Sequence, residues 1–152
     1  MVVYRISKKR FITDLSGLGA KLYGGRWNPK GVSLVHTSES RALAILEYYV
    51  HADPSFLPTD VAIASIYIPD DASRKEILIG DLPPDWREYP APAELAGLGE
   101  KWSKSGEGLV LLVPSVVVPK EMNVLINPGH SLIKKVAIID VEDYSFDERL
   151  ER

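Results

Sequence analysis

The chain has 152 residues, 45% hydrophobic and 26% charged, enough for one soluble domain with a sizeable core. Its 18 Lys and Arg against 21 Asp and Glu give a formal net charge of −3, which argues against a basic nucleic-acid-binding face but allows a small anionic ligand on one well-placed arginine. It has no cysteine, which excludes disulfides, thiolate catalysis and Cys-ligated zinc.

Val2 to Ile6 is predicted as a first strand, with Tyr4 and Arg5 on opposite faces. The start of the chain lacks the charged lead and long apolar run of a signal peptide, and no apolar run approaches the ~18 residues of a membrane span. A cytoplasmic location is expected. Lys8 to Asp14 can form a helical turn. Four glycines between 17 and 25 suggest a loop that turns tightly or lies close to a ligand, but the pattern matches neither GxGxxG nor GxxxxGK[ST].

Gly24-Gly25-Arg26-Trp27-Asn28-Pro29 concentrates special residues in one turn. Arg26 can bind a phosphate through two parallel hydrogen bonds, and Trp27 can offer a flat face to a ring. The same residues also suit a structural turn, with Trp27 in the core and Arg26 paired to a carboxylate. Spacing leaves both readings open.

Val32 to His36 is predicted as a strand and Glu39 to His51 as a helix capped by Thr37 or Ser38. Ala42, Leu43, Ile45, Leu46, Tyr49 and Val50 make its apolar arc, with Glu47 at the edge of it. A carboxylate there is partly buried and needs a partner or a role, unless it reaches water at the rim. Val61 to Ile68 is a β-branched strand, and Glu76 to Ile79 a short one. The segment from Gly80 to Ala93 carries four prolines and is irregular; it is followed by a helix from Ala93 to Ser103 with Trp102 in the core. Leu109 to Val113 is predicted as a central strand buried on both faces, with Ser115 just beyond it. Asn123 to His130 forms a polar cluster with an Asn-Pro turn. Lys134 to Asp140 is the last strand. One domain over 1–152 is expected, its core from about 2 to 141 and a charged tail over 142–152 that frays.

His36, His51 and His130 have no metal-site spacing, and no GxSxG elbow is present. The remaining set is arginine, the ring at 36, Glu47 and polar groups near Ser115. It suits an anionic substrate with a cationic transition state. Cleavage of an N-glycosidic bond is such a reaction, since oxocarbenium charge builds on the sugar and a carboxylate stabilises it.

Tyr4-Arg5, the GGRWNP block, Thr37-Ser38 leading to Glu47, Val113-Pro114-Ser115, and Asn123 with Asn127-Pro128-Gly129-His130 together resemble the RES domain family. The resemblance covers Tyr4 to about Asp140. It implies an α+β single domain with an ADP-ribosyltransferase-like mixed β-sheet core and flanking helices. It also implies the toxin of a bacterial toxin–antitoxin pair with an Xre-type antitoxin, which consumes NAD by splitting the nicotinamide–ribose bond with water or phosphate. NAD is then a substrate, with no other cofactor and no metal. Carried over, Arg26 binds phosphate, Glu47 is the catalytic glutamate, Ser115 is the serine of the family name, and Tyr4 and Arg5 line the pocket. Gly25, Trp27 and Asn127 complete the expected NAD-binding set. His36 stands where the family usually has a tyrosine and joins the catalytic set, as a ring able to titrate near neutral pH. Transfer of ADP-ribose to a protein and a silent NAD-binding module are the alternatives. A homodimer or a larger assembly with the antitoxin stays open, and direct DNA contact is left to the partner.

Overall fold

One mixed sheet of seven strands carries the molecule: β1 (Val2–Lys8), β2 (Val35–Ser38), β3 (Val61–Tyr67), β4 (Arg74–Glu76), β5 (Val110–Pro114), β6 (Met122–Ile126) and β7 (Ala137–Tyr144). Three α-helices accompany it, α1 (Leu18–Tyr23), α2 (Arg41–Tyr49) and α3 (Ala93–Ser105). The structure, a computed structural model, describes residues 1–151. The spatial strand order is β4-β5-β6-β2-β1-β3-β7, and every pair is antiparallel except β4 with β5. The chain is therefore α+β, as expected. No helix among the described residues is long and apolar enough to cross a membrane.

β3 lies between β1 and β7, and six of its seven residues are buried, which suits its β-branched and small side chains. β5 is buried as predicted but is not central. It lies second from the edge, covered on its outer side by the short parallel β4. The polar cluster at 123–130 conceals β6, whose Val124, Leu125 and Ile126 are fully buried in mid-sheet. Two asparagines flank a run of only three apolar residues, too short to be recognised as a strand.

The tail does not fray at residue 142. β7 pairs with β3 as far as Tyr144, and Phe146 packs on Tyr144 and Tyr48 with ring centroids 5.1 and 6.1 Å apart. The Tyr49 hydroxyl donates to the Leu150 carbonyl at 2.8 Å, and Arg41 pairs with Glu142. The charges of β7 face solvent along an edge strand, where they discourage pairing with another chain without weakening the strand's own ladder.

On one face of the sheet, α3 buries Leu95 and Trp102 with Trp27, Trp86, Leu111 and Leu125. The approach is very close at Gly99, where an added Cβ would lie 1.7 Å from the Trp27 carbonyl oxygen. α2 packs against β1 and β2. Its cap is Ser40, whose hydroxyl accepts from the Leu43 amide at 3.1 Å, whereas Thr37 and Ser38 belong to β2. The buried face of α2 carries Leu43 and Ala44, while Ala42, Leu46 and Val50 of the expected arc are exposed. The buried stripe is thus narrower than predicted and rotated so that Glu47, one turn after Leu43, falls beside it.

Candidate active site

Glu47 is half-buried on α2, and its Oε1 accepts two short hydrogen bonds, from Ser115 Oγ and Asn123 Nδ2, each 2.6 Å. Each donor is itself oriented. Ser115 Oγ accepts from the amides of Val117 and Val118 at 3.1 and 3.0 Å, so its one proton is directed to Glu47. Ser38 Oγ donates to Asn123 Oδ1 at 2.7 Å, which turns the amide of Asn123 towards Glu47. β2–β6 pairing sets this up by placing Ser38 opposite Asn123. Oε2 of Glu47 has no protein donor among the described residues, and Glu47 lines a cleft of about 1110 Å³. Sites for small molecules usually run to ~300–1,000 Å³, so the cleft is large enough for an extended ligand.

Tyr4, Arg5, Gly25, Arg26 and His36 line the same cleft. β1 delivers Tyr4 and Arg5, and the turn after α1 delivers Gly25 and Arg26. That turn is closed by the Gly25 amide donating to the Asn28 carbonyl at 2.8 Å, and it begins at Gly24 with φ +68°, where a side chain would be strained. Arg26 donates through Nη1 to the Trp86 carbonyl at 2.7 Å and through Nη2 to that of Glu88 at 3.1 Å. Arg5 donates to the Asp14 carbonyl. Burial lowers the pKa of both guanidinium groups, against the opposing charges of Asp14 on Arg5 and Glu47 on Arg26. Arg26 keeps three of its five N–H donors for a ligand, because the loop occupies two.

His36 is exposed to the cleft, and desolvation by the cleft walls, with the charges of Arg5 and His51, lowers its pKa from 6.5 to about 4. That direction favours the neutral ring at pH 7. Its tautomer follows from Asn28. The Nδ2 of Asn28 donates to the Ala20 and Val32 carbonyls, so its Oδ1 can only accept, and His36 Nε2–H donates to it at 3.2 Å. The unfolded chain takes up the proton first, so the contribution of His36 to stability is full above pH 6.5 and is lost as pH falls towards 4. An NMR titration of the histidine ring resonances is expected to show one, assigned to His36, unprotonated until well below pH 6. A midpoint near 6.5 would contradict the desolvated setting.

Three expected site residues are bound into the fold. Trp27 reaches the lining of the cleft but is only 4% exposed, most of its surface being packed in the tryptophan core under α3. Asn127 is buried away from the cleft, where Nδ2 donates to the Ser103 carbonyl and Oδ1 accepts from Gly129; it ties the end of β6 to α3. Ser115 is fully buried and directs its one proton to Glu47, so it orients the carboxylate. Asn123, absent from the predicted site set, does the same from the other side. Its role depends on the β2–β6 register, which the sequence pattern does not reveal.

A half-buried carboxylate with one oxygen fixed, beside two guanidinium groups in an open cleft of an α+β sheet, is chemically suited to an anionic ligand and to stabilising positive charge. The RES domain family matches residues 2–147, and the chain belongs to that family. Among its relatives, the Prs ADP-ribosylating toxin of Sphingobium sp. (strain YBL2) is 43% identical over 91% of this chain and 88% of that protein. The Toxin Res proteins of Yersinia enterocolitica and Pseudomonas putida are 37% and 35% identical, each over 99% of both chains. A chain of the crystal structure of the M. tuberculosis MbcT–MbcA toxin–antitoxin complex superposes with a TM-score of 0.78, covering 95% of this chain and 84% of that one. At 16% identity that likeness shows the fold alone.

Proposed function

We propose that this RES-family toxin depletes NAD by breaking the bond between nicotinamide and ribose, with water or phosphate as acceptor. The observation that carries the reading is Glu47, held through Oε1 by Ser115 and Asn123 with Oε2 left for a ligand. The bond breaks with its electron pair passing to the pyridinium nitrogen, so nicotinamide leaves neutral. Positive charge then spreads over C1′ and the ring oxygen of the ribose, and the Glu47 carboxylate stabilises it. Water or phosphate adds through oxygen to C1′; water then loses its proton to Glu47 or solvent. Arg26 and Arg5 hold the diphosphate. Neutral His36 serves the reaction better than an imidazolium would, because it sets no second positive charge beside the pyridinium.

Ser115→Ala tests the orienting role. Loss of one hydrogen bond to a carboxylate is expected to lower kcat roughly 10–100-fold with little change in KM. An unchanged kcat in a folded variant would remove that role.

Transfer of ADP-ribose to a protein is a second reading, favoured by the name of the 43% identical relative. Mass spectrometry of NAD incubated with the chain, with and without phosphate and candidate proteins, separates the acceptors. Free ADP-ribose means water, ADP-ribose carrying one further phosphate means phosphorolysis, and a mass added to protein means transfer. Intact NAD with folded protein would sink all three. An antitoxin is proposed as partner, supported by the toxin–antitoxin complex in which the structural neighbour was solved, and the family resemblance makes the Xre type the one to test. The net charge of −3 leaves DNA contact to that partner.

A further inference from the structure

The irregular segment at 83–92 is fixed in place rather than loose. Trp86 is 6% exposed and anchored in the tryptophan core. Arg26 grips the carbonyls of Trp86 and Glu88, the residues on either side of Arg87. Arg87 Nε donates to the Val116 carbonyl at 3.2 Å, one residue from the serine that orients Glu47. Two loops, 86–91 and 116–118, are thereby stitched into one wall of the cleft, with Arg87, Tyr89 and Ala91 among its lining residues.

Two side chains of this wall carry groups that the fold leaves unused. Arg87 uses one of its five donors, and both of its Nη groups remain without a protein acceptor among the described residues. Tyr89 lines the cleft yet is 88% exposed, its ring covered by almost nothing. Contacts run from Glu47 through Ser115 and Val116 to Arg87, and from Arg87's neighbours to Arg26. Along this chain of contacts a carboxylate is followed by two guanidinium groups, and the ring of Tyr89 comes two residues after Arg87 in the same wall. That sequence of chemistries matches ribose, diphosphate and base along one dinucleotide.

We propose that residues 87–89 form the subsite for the adenylate half of the substrate, with Arg87 beside Arg26 on the diphosphate and Tyr89 stacked on the adenine. As to its occupant, this rests on the NAD reading of the Glu47 site. Stacking supplies affinity for the base through its face, and the clamp by Arg26 pre-orders the loop, so little ordering remains to be done on binding.

The test measures ADP binding by calorimetry and the ratio of kcat/KM for NAD to that for nicotinamide mononucleotide, which lacks the adenylate half. Wild type, Arg87→Ala, Tyr89→Ala and Tyr89→Trp are compared. Tyr89→Ala is expected to weaken ADP binding about tenfold, the scale of one base–aromatic stack, and to lower the preference for NAD by a similar factor. Arg87→Ala should lower both as well, and Tyr89→Trp should retain both. Because Tyr89 is exposed, these variants fold. If wild type cleaves NAD while Tyr89→Ala and Arg87→Ala keep the full preference and the full ADP affinity, the subsite is wrong. Absence of ADP binding by wild type overturns it equally. If ADP binds in a Tyr89-dependent way but NAD is not cleaved, the subsite stands and the cleavage reading falls.

Discussion

Glu47→Gln is expected to lower NAD cleavage by roughly a thousandfold or more while the fold and NAD affinity stay near wild type. The geometry makes this a clean substitution. The Gln side-chain oxygen can still accept from Ser115 and Asn123, which donate at 2.6 Å to Oε1 now, so the shape and the supporting bonds persist. What disappears is the negative charge facing the ribose. A loss of activity accompanied by a lower thermal midpoint would instead point to a structural role. Full activity in the folded variant would remove Glu47 from the chemistry altogether.

The largest expected effect on stability lies far from any reacting atom. Gly99→Ala places a methyl group 1.7 Å from the Trp27 carbonyl oxygen, a backbone atom that cannot rotate away. Either α3 lifts off the sheet or the turn carrying Arg26 shifts. Overpacking of this severity costs about 3 kcal/mol or more, the upper end for such insertions. In a domain of this size that lowers Tm by about 6–12 °C. A thermal melt checks it, and a Tm within about 2 °C of wild type would show that α3 accommodates the methyl easily. Gly97, two residues earlier on the same helix, has open space around it and serves as the control, since Gly97→Ala should be neutral or mildly stabilising.

The sequence showed the candidate reactive groups better than the groups that support them. Glu47 stood out because a carboxylate beside the apolar stripe of a helix needs a partner. Arg26 stood out because arginine in a glycine turn suits phosphate. The structure brings both to one cleft with Tyr4, Arg5, Gly25 and His36. The partners of Glu47 were harder to see. Ser115 lies 68 residues away and Asn123 76, and only the β2–β6 pairing and the loop after β5 bring them together. Sequence spacing carries no trace of such contacts. Asn127 lies away from the cleft for a related reason: an Asn-Pro turn is as useful for ending a strand as for holding a ligand, and Trp27, though it reaches the cleft lining, serves mainly to close the core. His36 lines the cleft as expected, but the desolvation and the charges of Arg5 and His51 that lower its pKa appear only in three dimensions. The charged tail misled because charge density was read as disorder, although an edge strand tolerates charge on its solvent side.

The most direct test of NAD cleavage at Glu47 is the release of free nicotinamide from NAD by the purified wild-type chain, followed by chromatography beside Glu47→Gln. Steady release by wild type and almost none by the variant is the expected result. Folded wild-type protein that binds NAD but releases no nicotinamide, or equal release by both proteins, would contradict it.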